Sequence, residues 1–359
     1  MALKDIVSMG KEGVYKYISF MFLIVSVLLA IFTLFGLFGG TADPASGTAM
    51  AMLVYVLPFL IIGNVVMLFY WLIRRRWQWL AIPAVTLLCS IPYIGTVYQP
   101  GFFHEGETSR SGIKVASYNV AMFSRETSGF KAQDILAEMK KNKVDIICMQ
   151  EYENTSGDKL NSDSYKGYFT SMATGRHDMV IYSRYPIERS ETIDFGKTNN
   201  SAMWADVNIN GRIIRVFNVH LETTGFNRAL HQLAKQEMQG NPVENNAIIR
   251  AIYGNYTRGM VVRARQADQV AAEIRNSEYP VVVCGDFNDV PYSYVYNTML
   301  GDLTDGFKEC GKGWMFTYTG RKQVRIDYIF HSKELEGESY YNEEITYSDH
   351  LPVFMKIAF

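Results

Sequence analysis

Two stretches of this 359-residue chain, 17–37 and 49–73, contain no charged residue and are dominated by Ile, Leu, Val, Phe and Met. At about 1.5 Å per residue, roughly 20 helical residues cover the ~30 Å hydrocarbon core of a bilayer, so either stretch is long enough to cross one. The apolar core of a cleaved signal peptide is only about 7 to 15 residues long, so the first stretch reads as a retained helix. Residues 39–48 are small and polar, with Asp43 and Pro44, and read as a tight loop. Arg74, Arg75 and Arg76 lie among Trp71, Trp77 and Trp79, a pairing of basic and interfacial aromatic residues that marks the cytoplasmic boundary of a span. Lys4, Lys11 and Lys16 put the start of the first helix on the same side, while the loop at 39–48 has no Lys or Arg. A third apolar run, 80–97, is shorter and carries Pro83 and Pro92. Read as a further span, it places everything after Gln99 on the outer side of the membrane. The predicted organisation is a membrane anchor over 1–100, with helices at about 17–37, 49–73 and 80–97, a linker over 101–112, and a water-facing domain over 113–359.

That domain is mildly acidic. After position 100 there are 29 Lys or Arg and 33 Asp or Glu, a net of −4. The balance tilts against a partner presenting a dense phosphate lattice, such as duplex DNA. The one locally basic stretch, 228–265, has six Lys or Arg against two acidic residues; it reads as a solvated helical excursion or, functionally, as a guide for an anionic substrate. Cys89 lies in an apolar run, Cys148 and Cys284 fall within predicted buried strands, and no Cys-x-x-Cys spacing exists. A zinc site or a disulfide framework is therefore not expected.

The strongest strand signal is Val281, Val282 and Val283, a run suited to burial on both faces that breaks at Gly285. Asp286 and Asn288 follow, two residues apart. In an extended segment they point the same way, presenting oxygens to a metal ion or a phosphoryl group. Further strands are predicted over 114–119, ending at Asn119, and over 144–151, ending at Gln150 and Glu151. Another spans 178–184 and ends at Arg184. A hairpin about Asn210 and Gly211 joins 201–208 to 212–220, whose second strand runs into His220. Helical spacing covers 130–142, through Ile135, Leu136 and Met139, and 260–276, through Val262, Ala267, Val270 and Ile274. Shorter segments follow at 316–319, 325–331 and 347–353.

Strand after strand thus ends in a group able to ligate a hard cation or move a proton. Asn119, Gln150 with Glu151, Asn218 through Leu221, Gly285 through Asn288, Arg325 through Tyr328, and Ser348 through His350 occur in the order of one superfamily. On these six motifs, residues 112–359 resemble the endonuclease/exonuclease/phosphatase superfamily, which has the pancreatic-deoxyribonuclease-like fold; a looser similarity is to its membrane-anchored bacterial members. The resemblance implies a four-layer α/β sandwich, two mostly antiparallel sheets flanked by helices, preceded here by transmembrane helices. It implies a phosphoesterase dependent on Mg²⁺ or Mn²⁺, because carboxylate and amide oxygens select hard cations. Water would attack the phosphate ester directly.

The expected metal ligands are Glu151 and Asn119, with Asp349 as a further contact. Asp286 and Asn288 would orient the water and a phosphoryl oxygen. His350, partnered by Asp327, and His220 would hold the phosphate and transfer protons. Arg184 and Tyr318 are secondary candidates for phosphate contact. The expected substrate is a lipid, sugar or nucleotide phosphate, with nucleic acid as an alternative. A non-catalytic, membrane-tethered binding module is the contrasting class. For a bacterial member the location implied is the cell inner membrane, with the catalytic domain on the periplasmic side.

Overall fold

The computed structural model describes residues 3–101, 112–121, 132–152, 167–223, 245–320, 323–345 and 347–359. Most of the predicted linker and residues 228–244 of the basic stretch lie outside these. The chain divides into two compact units, Met1–Ile94 and Gly95–Phe359.

The first unit is helical: α1 (Leu3–Gly39), α2 (Thr48–Leu53), α3 (Leu57–Ile73) and α4 (Trp77–Cys89), with α5 (Ile91–Val97) running across the boundary between the units. The segments Gly13–Gly39 and Thr48–Ile73 are each long and apolar enough to cross a membrane. The predicted third span is bent by 47° between α4 and α5. Pro92 explains the bend, since it has no N–H to continue the helical ladder across Ser90. Ser19, Ser26 and Thr33 recur every seventh residue, so they share one face of α1. Their hydroxyls accept from Arg74 Nη2 (2.8 Å), Trp71 Nε1 (2.9 Å) and Asn64 Nδ2 (2.9 Å). Among apolar helices such polar contacts supply the attraction that hydrophobicity does not. Trp71 is therefore fully buried, its indole held by Ser26 of α1.

The second unit holds two six-stranded sheets. In sheet order, the first comprises β13 (Glu336–Asn342), β14 (Val353–Ala358), β2 (Gly112–Asn119), β3 (Ile146–Gln150), β5 (Val180–Ser183) and β4 (Ser171–Thr174). The second comprises β10 (Thr304–Asp305), β12 (Asp327–His331), β9 (Val281–Asp286), β8 (Arg212–His220), β7 (Ser201–Ile209) and β6 (Ile187–Ile193). Each sheet has one parallel pair at its centre, β2 with β3 and β8 with β9, and antiparallel pairing elsewhere. A two-stranded ribbon joins β1 (Tyr98–Gln99) to β11 (Gly313–Trp314). Asn210 (φ 55°) and Gly211 (φ 93°) make the predicted hairpin turn between β7 and β8.

Alternation along the strands builds the layers. Val115, Ile146, Cys148, Val216, Val282 and Cys284 meet between the sheets. Their opposite-face neighbours Ala116, Tyr118, Ile147 and Met149 pack outward on Ile135, Leu136 and Met139 of α6 (Ala132–Lys141). Phe217, Val219, Val281 and Val283 pack outward with Ala267 and Val270 of α7 (Asn245–Arg275) and Val295 and Met299 of α8 (Tyr294–Leu300). A last short helix, α9 (Gly306–Cys310), follows β10. The central strands are thus covered on both faces, which is why they read as continuous apolar runs. Helix α7 begins at Asn245, well before the predicted start at residue 260. Val262 is half-buried, and the buried face there includes Arg263, paired with Asp289 at 3.1 Å. The four cysteines are free thiols.

At one end of the inter-sheet core, apolar residues give way to an amide pair. Gln150 Nε2 donates to Asn218 Oδ1 (2.7 Å), and Asn218 Nδ2 donates to the carbonyls of Met149 and Val180 (2.9 Å each). These bonds tie the sheets together directly beneath the polar rim. Gly285 sits at the same level with φ 151°, and a Cβ there would lie 2.0 Å from the Val219 carbonyl oxygen. No side chain can relieve a clash with backbone in the middle of a parallel ladder. Gly285→Ala is therefore expected to cost at least about 3 kcal/mol, seen as a lower urea midpoint; an unchanged midpoint would contradict this packing.

Candidate active site

The inward-facing residues of β2, β3, β8, β9 and β12 alternate, and their last members at one rim are Asn119, Gln150, His220, Asp286 and Asp327. Strand register sets them side by side: His220 pairs with Asp286 across β8 and β9, Asp327 with Asp286 across β12 and β9, and Asn119 with Gln150 across β2 and β3. The two sheets meet through Asn119, whose Nδ2 lies 3.1 Å from both Glu151 Oε1 and Asp286 Oδ2. Its Oδ1 accepts from Ala121 N at 3.0 Å.

Asp286 Oδ2 is the centre of the cluster. His350 Nε2 lies 3.7 Å from it and His220 Nε2 4.0 Å, with His220 Nε2 also 3.5 Å from Glu151 Oε1. His350 Nδ1 contacts both oxygens of Asp327, at 3.0 and 3.2 Å, which fixes the ring. Asp327 is in turn set by Thr317, whose Oγ1 accepts from the backbone N–H groups of Ile326 and Asp327 (3.0 Å each). Tyr318 pairs with His350 through an isolated bridge and sets its ring edge-on to the imidazole, 5.0 Å between centroids.

Asn288 reaches the site by a different route from the one its spacing suggested. The strand ends at Asp286, and Asn288 lies in a left-handed turn, φ 52°. Its N–H donates to Asp286 Oδ1 (2.8 Å) and its Nδ2 to Leu221 O (3.0 Å) and Asp286 Oδ2 (3.3 Å). A side chain so engaged holds the Asp286 carboxylate in place. Glu151 and Ala121 also have positive φ, 53° and 43°. Left-handed non-glycine residues thus recur where β2, β3 and β9 enter the rim, as strain does at sites that must aim a side chain.

Two expectations change. Arg184 follows the far end of β5, beside the start of β3: its N–H donates to Asp145 O (2.9 Å), its guanidinium pairs with the Asp145 carboxylate (2.7 Å), and it stacks over the Tyr168 ring. Because β5 runs antiparallel to β3, the end of the predicted strand lies at the rim opposite Glu151. Arg184→Ala is accordingly expected to leave any hydrolytic kcat/KM within about twofold of wild type; a tenfold loss in a steady-state assay would contradict the placement. Asp349 is exposed, because His350 takes the inward position and its neighbour must face out. Its carbonyl accepts from Thr319, and its carboxylate is outside the cluster of converging ligand atoms. Gln150 and Asn218 were legible as members of the strand-end motifs and Thr317 only as a strand residue; the part of all three is to brace the site.

Packing Asp286 and Asp327 together makes the pocket electrostatically demanding. Burial, then the Asp327 charge, push the Asp286 carboxyl up to about 6, although both histidines act against the rise. Burial pulls the His350 imidazole down, but the charges of Asp327 and Asp286 and the hydrogen bond to Asp327 outweigh it and raise it to about 10. Such a site favours added positive charge. Candidate ligand atoms of Asp286, Asp327 and His350 all lie within 4.8 Å of one another. With the Glu151 carboxylate alongside, the donors are mostly hard oxygens, which fits a divalent cation.

The family model described as Endonuclease/Exonuclease/phosphatase family matches residues 116–350, which includes every one of these strand ends. The chain belongs to the endonuclease/exonuclease/phosphatase family. Members of this family are metal-dependent hydrolases acting on phosphate esters. Residues 19–97 match a separate domain of unknown function. A curated family relative is the CCR4-Not complex 3'-5'-exoribonuclease subunit Ccr4 of Phaeosphaeria nodorum, 23% identical over an alignment 282 residues long that covers 62% of this chain. The chain spans only 45% of that relative's length. Among solved family structures, one from Beutenbergia cavernae aligns with a TM-score of 0.52 at 18% identity, covering 70% of this chain and 72% of that one. The human Nocturnin catalytic domain aligns with a TM-score of 0.50 at 18% identity, covering 73% of this chain and all of that one. At these identities the likeness is one of fold.

Proposed function

We propose that this protein is a membrane-anchored phosphoesterase that uses Mg²⁺ or Mn²⁺ and hydrolyses its substrate by direct attack of water. The observation that carries the proposal is the convergence on Asp286 Oδ2 of two imidazoles and of an amide from the opposite sheet. Glu151 and Asn119, with Asp286, are assigned to hold the ion, which when bound neutralises charge on the phosphoryl oxygens. Asp286 takes the proton of the attacking water. Asn288 keeps that carboxylate aimed. His350, charged and held by Asp327, stabilises the negative charge that builds on the phosphoryl group. His220, on the other side of Asp286, protonates the departing oxygen. Tyr318 shapes the pocket beside His350.

The anchor assigned is the pair Gly13–Gly39 and Thr48–Ile73, with α4 and α5 together as a third crossing. That topology puts the catalytic unit on the periplasmic side of an inner membrane. The net charge of −4 after position 100 and the tether favour small or lipid-borne phosphate esters over duplex DNA. The exoribonuclease name of the curated relative favours RNA as the second reading.

Full-length protein in detergent should hydrolyse a chromogenic phosphodiester with Mg²⁺ or Mn²⁺ and lose at least about a hundredfold of that rate in chelator. Activity indifferent to chelator would remove the metal-hydrolase reading. Rapid nicking of plasmid or shortening of RNA at physiological salt would move the substrate to nucleic acid.

A further inference from the structure

The second unit begins inside the last apolar segment, and its first residues are fixed to the catalytic sheets. Arg325, buried against Asp305, donates from Nη2 to the carbonyl of Thr96 (2.6 Å). Two residues later Tyr98 and Gln99 form β1, paired with Trp314 and Gly313 of β11. Tyr98 and Trp314 set their rings 5.1 Å apart.

From β11 the chain runs on in alternation. Met315 and Thr317 are buried, while Trp314 and Phe316 face out, 63% and 39% exposed, and Tyr98 is 38% exposed beside them. The next outward member of the series is Tyr318, which lies against His350. At ~3.3 Å per extended residue, Trp314 stands roughly 13 Å from the mouth of the site. The exposed Lys312 runs its methylene stem beside Gly101, two residues past β1.

We infer that Tyr98, Trp314 and Phe316 form an aromatic ridge that inserts into the headgroup layer of a phospholipid bilayer and holds the active-site mouth against it, so that the ester hydrolysed is carried at the lipid surface. The occupant follows from chain continuity. An apolar segment of membrane character ends at Val97, and the very next residue belongs to the ridge. Whether α4 and α5 cross the bilayer or lie in its interface, Tyr98 leaves it at headgroup depth. Amphipathic aromatics are the side chains that settle at that depth, and a neighbouring lysine can reach anionic headgroups. The inference deepens the proposed function and rests on it for the chemistry at the site, but the docking itself does not require turnover.

The test uses the full chain reconstituted in vesicles of phosphatidylcholine and phosphatidylglycerol. The emission of Trp314, taken as the difference between wild type and Trp314→Phe, should be quenched when the phosphatidylcholine is brominated. Equal emission in brominated and ordinary vesicles overturns the docking surface. A Trp314→Ser, Phe316→Ser double variant should hydrolyse the vesicle phosphatidylglycerol at least about tenfold more slowly, yet a soluble chromogenic ester within about twofold of wild type. An equal fall on both substrates, or none on the lipid, overturns the surface role in catalysis. If wild type hydrolyses neither substrate while quenching persists, the proposed function fails and the docking surface stands.

Discussion

Asp286→Asn is expected to abolish hydrolysis, by at least about a thousandfold in kcat, and at the same time to make the protein harder to unfold in chelator. The first effect follows because this carboxylate is assigned both to the ion and to the proton of the attacking water. The second follows from the environment that gives it those roles. Its carboxyl is raised from 3.8 to about 6 by burial and by Asp327. A raised carboxyl binds its proton more tightly in the folded chain than in the unfolded one. The resulting penalty is absent below pH 3.8, grows as the pH rises, and is complete above about 6. Two pKa units correspond to roughly 3 kcal/mol, and an asparagine loses about 1 kcal/mol where its amide meets that of Asn119, so a gain of roughly 2 kcal/mol is expected at pH 7. Thermal unfolding in detergent and chelator, with kcat measured in Mg²⁺, reads both halves. A variant that is inactive and also less stable would point to misfolding and not to lost chemistry.

Asp327→Asn is expected to lower kcat by about a hundredfold or more and to move the alkaline limb of the pH profile towards neutrality. In wild type the imidazole of His350 is raised to about 10, mainly through Asp327 once the opposing effect of burial is overcome. The charged ring is the form assigned to the phosphoryl group, so activity should fall as the pH rises through that value. Without the Asp327 charge the ring loses its proton at lower pH, and the fall comes earlier. Stability moves in the same sense. A histidine raised on folding stabilises fully below its ordinary value near 6.5, and that contribution is lost as the pH climbs towards about 10. The variant should therefore show less decline in melting temperature across that window. An alkaline limb at the same pH in both proteins would remove the Asp327–His350 pair from the mechanism.

The sequence carried the site further than it carried the fold around it. Asn119, Glu151, His220 and Asp286 were legible because each stands at or just past the end of a short strand-like run, and a run buried on both faces has one register in which its end reaches the rim; His350 was legible only through the Ser348, Asp349, His350 motif ahead of β14. Asp327 was legible by its place two residues after Arg325, although Arg325 itself turned out to anchor the start of the catalytic unit. Strands β4, β6 and β13 left no comparable trace; β6 is mostly exposed and rich in Glu, Ser and Thr, a pattern shared by many loops. Arg184 was misplaced because a strand's end says nothing about which rim it reaches until its direction against its neighbour is known. The hydroxyl series Ser19, Ser26 and Thr33 passed as part of an uncharged apolar run, because its partners Asn64, Trp71 and Arg74 appear only when α1 and α3 pack.

Divalent-ion binding tests the central claim most directly, because one ion must be held by side chains from both sheets. Titrating the full chain with Mn²⁺ and following the free ion by electron paramagnetic resonance should show saturable binding in wild type. That binding should weaken at least about tenfold in Glu151→Gln and in Asp286→Asn separately, one residue from each sheet, and stay unchanged in Arg184→Ala. Equal binding by all four proteins would mean that the rim of the two sheets is not where the ion sits.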